Sequence, residues 1–582
     1  MQIFTVFREC VYMYSGYICM YNSHKSITMR FYNTSKELKA YAVSGTQTVL
    51  LAMDIPQSKV KGGSFHGFKI SRKEGNKKPI LLNGSKRFAS DNPDNPVQKL
   101  SPLQSYLWKD YTADPGKSYT YTIEAMFGTW DDLQPKYSTT LKVKTEALHG
   151  AGHSVFFNYG VTGSQAYARK FDKQKIESLP KDKKEAAFDM LGRELYAEGL
   201  LKFVAQAKSK RYSLLCAFYE LDYPPFLQAL KNAQNKGAEV EIVYSAKADQ
   251  KTANEHEIKK ATLKSVSVAR DFQVAQPHNK FMILLYDNKP IQVWTGSTNI
   301  TIRGIFGHSN TGHWIKNQSL AKKYHTYWKT LKTNPAKATF TDTTEEIQAD
   351  LDVRKMAKGT KVIFSPRKTD KMLSNYVDLM DSANEAVCII YPFNIEQIFK
   401  NFYKQDRDYL RFIITDKGGD KTDFVTDDRD VIKTQGAVLS SAVEDWVVEM
   451  TSKATTGAST LYVHNKFFIV DPLSDMPVVV SGSANFSDES LKSNDENMLI
   501  VKGDKRVADI YFTEFSRMFD HFMPRYLKKL KEEDPNAHQF SHAGFEKPLD
   551  ESGTWCTVYY DKTRLVCKRK QLFVKMKGAK KG

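Results

Sequence analysis

The pattern of apolar and polar positions changes along the chain. From about 29 to 147, short alternating or apolar runs (TQTVLLAMDI, FKISRKE, SYTYTIEAMFG, TTLKVKTE) stand between clusters of Gly, Pro, Asn and Asp. Alternation bounded by turn residues predicts strands, hence a β domain. Residues 148–180 are rich in Gly, Ser and aromatics and read as a connector, with His149 and His153 as loop histidines. After Pro180 the period becomes helical: Phe188, Leu191 and Leu195, continued by Leu200 and Phe203, share one apolar face. Strands and helices then alternate. RYSLLCAFYE predicts a buried strand, PPFLQALKNAQNKG a helix ended by Gly237, and AEVEIVYSA, SVSVAR and KFMILLYD further strands. Continuous apolar strands between helices predict a sheet covered on both faces.

The second half repeats this plan, with KMLSNYVDLMDSAN and FNIEQIFKNFYKQ as helices and EAVCIIY and LRFIITD as strands. Each half closes on an aromatic-rich helix, LAKKYHTYWKTLK and RVADIYFTEFSRMFDHF. The polar, Lys/Thr-rich span 336–368 reads as a linker, and the Gly/Asp/Thr-rich span 415–460 as a long loop. The end of the chain, from Trp555, alternates like a hairpin and carries nine basic and no acidic residues after Asp561. The expected organisation is an extension over 1–28, a β domain over 29–147, α/β halves over 148–335 and 369–535 about the linker, and a basic segment over 536–582.

Composition narrows the partners. The chain has 582 residues, 41% hydrophobic and 12% aromatic, with a formal charge of +19. That is too long for one core and favours anionic partners, nucleic acid or an acidic lipid surface. The six cysteines show no C-x-x-C and no ligand spacing, so neither a disulfide framework nor zinc is expected; Cys216 and Cys388 read as buried thiols. No apolar run is long enough for a transmembrane helix. The aromatic start, VYMYSGYICMY, lacks the features of a secretory signal, which makes Met29 a candidate working start and the cytoplasm the expected location.

Two motifs carry the chemistry. His278-x-Lys280 is followed by Gly296-Ser297-Thr298-Asn299, and His464-x-Lys466 by Gly482-Ser483-Ala484-Asn485, each glycine eighteen residues after its histidine. On an extended strand, His and Lys two apart share a face. The matched pair resembles the phospholipase D superfamily, whose signature is H-x-K-x-x-x-x-D followed by G-S-x-N. The resemblance implies two duplicated α/β/α halves forming a pseudo-dimer with one shared site. It implies phosphodiester hydrolysis through a phosphohistidine, with one histidine as nucleophile and the other as acid. Lys280, Lys466, Asn299 and Asn485 would hold the phosphoryl oxygens, supported by Ser297 and Ser483, without cofactor or metal. Downstream, Asp471 completes the signature; upstream Leu285 stands there, with Asp287 two residues later on the same strand face. Glu496 fits the acidic residue that orients a histidine. In the upstream stretch HSNTGHWI, Gly312 or His313 falls at that place, with no carboxylate. The segment Asp114-Pro-Gly-Lys-Ser-Tyr119-Thr-Tyr121 resembles the E–F corner of immunoglobulin- and fibronectin-like sandwiches, where a tyrosine hydroxyl bonds back to the chain.

Three functions follow from this reading. The first is a nuclease on DNA or RNA, favoured by the charge and the basic tail. The second is a phospholipase D or phosphatidyl transferase acting at a phospholipid headgroup. A non-catalytic polyanion-binding module ranks last.

Overall fold

The computed structural model describes residues 29–582 apart from 83, 85, 92–100, 164–166, 168–169, 173, 175–177, 272–273, 420, 437–462 and 534–546. The extension over 1–28 and most of the expected long loop lie outside the described residues.

Two sheets form the N-terminal part. One has the order Lys580–Lys581, Arg30–Ser35, Leu38–Ser44, Val49–Asp54, Leu107–Asp110; the other runs Ile80–Leu81, Phe65–Glu74, Ser118–Thr129, Asp132–Lys144. All pairings are antiparallel except that of Lys580–Lys581 with Arg30–Ser35. Alternate residues of Ser118–Thr129, Tyr119, Tyr121, Ile123 and Ala125, turn inward and share a core with Leu38, Ala40, Val49 and Leu51. At the expected corner the Asp114 N–H donates to the Tyr119 hydroxyl at 2.8 Å.

The C-terminal segment corrects the sequence reading. Trp555–Tyr559 forms a 3₁₀ turn and Leu565–Val574 an α-helix, not a hairpin. Leu565, Leu572, Phe573 and Met576 recur at helical spacing and are buried in the main core. The segment packs on the fold: Lys570 is buried and pairs with Asp54 at 3.0 Å.

Two seven-stranded mixed sheets make up the rest. The first has the order Ser267–Arg270, Glu239–Ser245, Tyr212–Phe218, Lys280–Tyr286, Lys289–Gly296, Thr311–Ile315, His153–Phe157. The second has Val431–Gln435, Leu410–Thr415, Ala386–Tyr391, Phe467–Val470, Val478–Gly482, Glu496–Lys502, Gly359–Ser365. In each, three parallel strands on one side meet antiparallel strands that carry the motif. The phospholipase D-like duplication is therefore present strand for strand. Two sequence expectations fall with it. The span 336–368 holds the helix Lys337–Ile347 and the edge strand Gly359–Ser365, counterpart of His153–Phe157. Its polar composition hid the fact that Phe340 is fully buried. The span 415–460 supplies the strand Val431–Gln435. His153 is likewise no loop residue; it opens a strand and bonds His313 at 2.9 Å.

The halves share one core. Tyr327 of the helix Gln318–Lys332 stacks on Phe364 of the second sheet, ring centroids 4.2 Å apart, and Phe157 and Phe467 both pack on Tyr511 of the helix Lys505–Glu533. That helix also anchors the N-terminal sheets. Arg30, fully buried, binds Asp509 through Nε at 2.9 Å and Nη2 at 2.7 Å, and donates to the carbonyls of Pro472, Leu473 and Lys577. Asp509→Ala strands a buried guanidinium, and chemical denaturation is expected to report a loss of about 3–5 kcal/mol. A loss under about 1 kcal/mol would show that the carbonyls alone satisfy Arg30.

Candidate active site

The two motif strands bring their chemistry to the seam between the sheets. Each histidine sits two residues before its lysine, and each ammonium folds back on its own histidine's carbonyl: Lys280 Nζ to His278 O at 2.8 Å, Lys466 Nζ to His464 O at 2.9 Å. The glycines explain the G-S-x-N register. A Cβ on Gly296 would meet the Thr311 carbonyl oxygen at 2.1 Å, and one on Gly482 the Asn497 oxygen at 2.1 Å. That close approach lets Ser297 N–H bond Thr311 O and Ser483 N–H bond Asn497 O, both at 3.0 Å. The serine hydroxyls close the same turn by accepting from the N–H of Thr311 and Asn497 at 3.0 Å.

Each histidine is oriented from the other half. His278 Nδ1 lies 2.9 Å from both oxygens of Glu496, and His464 Nδ1 lies 2.9 Å from Asn310 Oδ1. Asn310 and Glu496 each stand one residue before the strand residue that bonds the motif serine, so they are counterparts. Gly312 and His313 are therefore not the equivalents of Glu496. Gly312 packs against Trp294, and His313 bonds His153 and Tyr511. Asn310 Nδ2 donates to Gly304 O at 2.8 Å, which fixes its oxygen toward His464. Carboxylate and amide oxygen both accept, so each Nδ1 carries the hydrogen and each Nε2 is left with its lone pair. The buried asparagines repeat the crossing: Asn497 Nδ2 donates to Asn279 Oδ1 at 2.9 Å, and Asn465 Nδ2 to Thr311 Oγ1 at 2.6 Å.

Both lysines are fully buried, His464 is buried, and the His278 side chain is 12% exposed. Burial lowers all four pKa values. It brings His278 down to about 4, against the pull of Glu496, and Lys280 down to about 7, against Glu496 and Glu220. Lys466 and His464 fall well below their usual values, through burial and then the neighbouring Lys280 and Lys466 respectively. Glu496 stays below the ordinary carboxylate range because His278 and Lys280 outweigh its burial. An anion among these groups favours their charged forms, so binding takes up protons. Sulfate, whose charge is constant near neutrality, is expected to inhibit best at or below pH 7. Its inhibition constant should rise by up to about tenfold per pH unit above that for each proton taken up. A constant value from pH 6 to 9 would contradict the depressed lysine.

Asp287 and Asp471 are true counterparts but lie at the far ends of their strands. Both adopt positive φ, 45° and 49°, and their N–H groups bond the carbonyls of Arg211 and Ala386, which open or precede the neighbouring strands. The Asp471 carboxylate accepts from the N–H groups of Asn384, Glu385 and Ala386; that of Asp287 pairs with Arg211. They hold strand ends rather than histidines. Asn299 donates from Nδ2 to Glu220, and the Asn485 Oδ1 is buried without a partner among the described residues. Sequence reasoning missed Asn310, Glu220 and the aromatic walls. Tyr219 packs on His278 with ring centroids 4.7 Å apart, and Phe393 on His464 at 6.4 Å.

The family described as "Cardiolipin synthase, PLD-like domain" matches this chain twice, over residues 200–332 and 376–519, one match to each half. The chain belongs to the phospholipase D superfamily. Among curated relatives, the human mitochondrial cardiolipin hydrolase is 36% identical over 63 residues, 11% of this chain and 23% of that protein. The chain thus spans about a quarter of the length of the curated relatives it matches. Among solved structures, phosphatidylserine synthase from Haemophilus influenzae Rd KW20 overlaps 59% of this chain and 92% of its own, at 11% identity and a TM-score of 0.40. Nuc from Salmonella typhimurium, a phospholipase D family member, overlaps 23% and 84% at 25% identity and a TM-score of 0.19. Among the described residues of this superfamily member, no three His, Cys, Asp or Glu side chains are grouped to hold a metal ion. No described helix is long and apolar enough to cross a membrane.

Proposed function

We propose that the protein is a metal-independent phosphodiesterase working through a phosphohistidine, and that its substrate is DNA or RNA. The observation that carries the catalytic reading is the pair of histidines from opposite halves, each with Nδ1 held and Nε2 available. His278, backed by a carboxylate, is the better nucleophile; its Nε2 attacks phosphorus. His464, which takes up a proton at Nε2 when the anionic substrate binds, gives that proton to the leaving oxygen as the P–O bond breaks. His464, now neutral, takes a proton from water, whose oxygen displaces His278 and leaves a phosphomonoester. Lys280 and Lys466 neutralise the phosphoryl oxygens, with Asn299 and Asn485 as further donors, replacing a two-metal clamp.

The charge of +19 supports nucleic acid, which presents a continuous line of phosphates. A phospholipid headgroup is the second reading, supported by two signatures in one chain and by the family's description. We extend the proposal to the domains. Residues 29–147 with the C-terminal segment form an immunoglobulin- or fibronectin-like sandwich, supported by the Tyr119 corner, which braces the catalytic halves. Plasmid DNA, RNA and phosphatidylcholine vesicles assayed side by side in EDTA test the reading. Cleavage of nucleic acid is expected; lipid turnover with intact nucleic acid overturns the substrate assignment, and silence on every substrate in EDTA overturns metal independence.

A further inference from the structure

The two ends of the site are chemically different. At the first half, the residue after Tyr219 is Glu220, whose carboxylate takes the Asn299 amide and lies 3.7 Å from Arg303. At the second half, the strand Ala386–Tyr391 leads through Pro392 into Phe393, which by strand register takes the place of Glu220, so no acid stands there. Phe393 meets the His464 ring edge to face, at an interplanar angle of 86°. The Lys466 ammonium lies 5.6 Å from its ring centroid, yet Phe393 remains 40% exposed. An aromatic ring 40% exposed and in contact with both His464 and Lys466 has surface left over for a ligand held at those groups.

Chemistry says what enters there. The group that protonates the leaving oxygen must lie within hydrogen-bond reach of it, so the leaving alcohol sits beside His464 and therefore beside Phe393. A cationic alcohol such as choline would also find a π face, but Lys466 already occupies that electrostatic role and Lys280 adds positive charge near His464. A neutral alcohol carrying a planar ring has no such conflict and stacks on an exposed aromatic. We infer that Phe393 is a specificity-determining residue that stacks on the base of a nucleoside leaving group. This rests on the nuclease reading and names the part of the nucleic acid the second half holds.

The test is a ratio. Wild-type protein is given a thymidine dinucleotide and the thymidine methyl phosphodiester that retains the same nucleoside, identified from the dinucleotide's products. Stacking of one base corresponds to about 5- to 150-fold in affinity. In Phe393→Ala, kcat/KM for the dinucleotide relative to the methyl ester is expected to fall by that factor, and in Phe393→Trp to recover. Matched melting curves exclude misfolding, which would lower both substrates together. An unchanged ratio in Phe393→Ala, where wild type cleaves the dinucleotide, overturns the role of Phe393 and leaves the nuclease reading standing. Faster release of choline from glycerophosphocholine than of thymidine from the dinucleotide overturns the neutral leaving group. Lipid turnover with no dinucleotide cleavage overturns both.

Discussion

His278→Ala is expected to abolish turnover, a loss of about 10⁴-fold or more, and His464→Ala to fail differently. The distinction follows from their places in the sequence of steps. Without His278 no covalent intermediate forms, whatever the leaving group. Without His464 the leaving oxygen receives no proton and the water is not activated. Bis-p-nitrophenyl phosphate separates the two, because p-nitrophenolate departs without protonation. His464→Ala should release a burst of about one equivalent of p-nitrophenol and then stall, and His278→Ala should show no burst. A burst in His278→Ala with none in His464→Ala would exchange the two roles. The pseudo-symmetric seam gives both histidines an Nε2 with its lone pair, and the Glu496–Asn310 difference is what assigns the two roles.

Glu496→Gln carries the second large effect. The amide keeps an oxygen able to accept from His278 Nδ1–H, so shape and tautomer can survive. What is lost is the charge that stabilises the ring as it gains positive charge on attack. Replacing the carboxylate that orients a catalytic histidine by its amide costs on the order of 10⁴-fold in kcat in a Ser-His-Asp triad. Glu496 also raises the pKa of Lys280 against its burial, so the variant should bind sulfate more weakly at pH 7 than wild type does. Normal kcat in Glu496→Gln would make Glu496 a packing residue. The asymmetry also explains why His464 suits the acid. With a neutral amide on Nδ1 and cations around it, its proton is readily given up.

The sequence showed the parts of this site that are local and hid those that are not. His278, Lys280, Gly296 and their downstream partners stand at fixed spacings on one strand and one hairpin, where period and motif are enough. The orienting groups come from the opposite half. Nothing in HSNTGHWI singles out Asn310 until the bond between Ser297 and Thr311 sets the register. Asp287 was legible as the counterpart of Asp471 because a shift of two residues from Leu285 keeps the strand face. Their task of holding strand ends was not. The C-terminal helix was misread because its alternation near Tyr559 is local, whereas Leu572 and Phe573 are buried against distant helices and strands. The edge strand Gly359–Ser365 was lost in polar surroundings, since a strand paired on one side needs fewer apolar residues. Phe393 carries no motif at all and emerges only from its exposure beside His464.

The central claim is that two half-sites from one chain make a single phosphoryl-transfer centre with His278 as nucleophile. It is tested most directly by quenching His464→Ala in alkali, which preserves phosphohistidine, during reaction with bis-p-nitrophenyl phosphate, and mapping the modified peptide by mass spectrometry. The account predicts a p-nitrophenyl phosphoryl group on His278 in near-stoichiometric yield. The same group on any other residue, or no adduct while product is released, would contradict it.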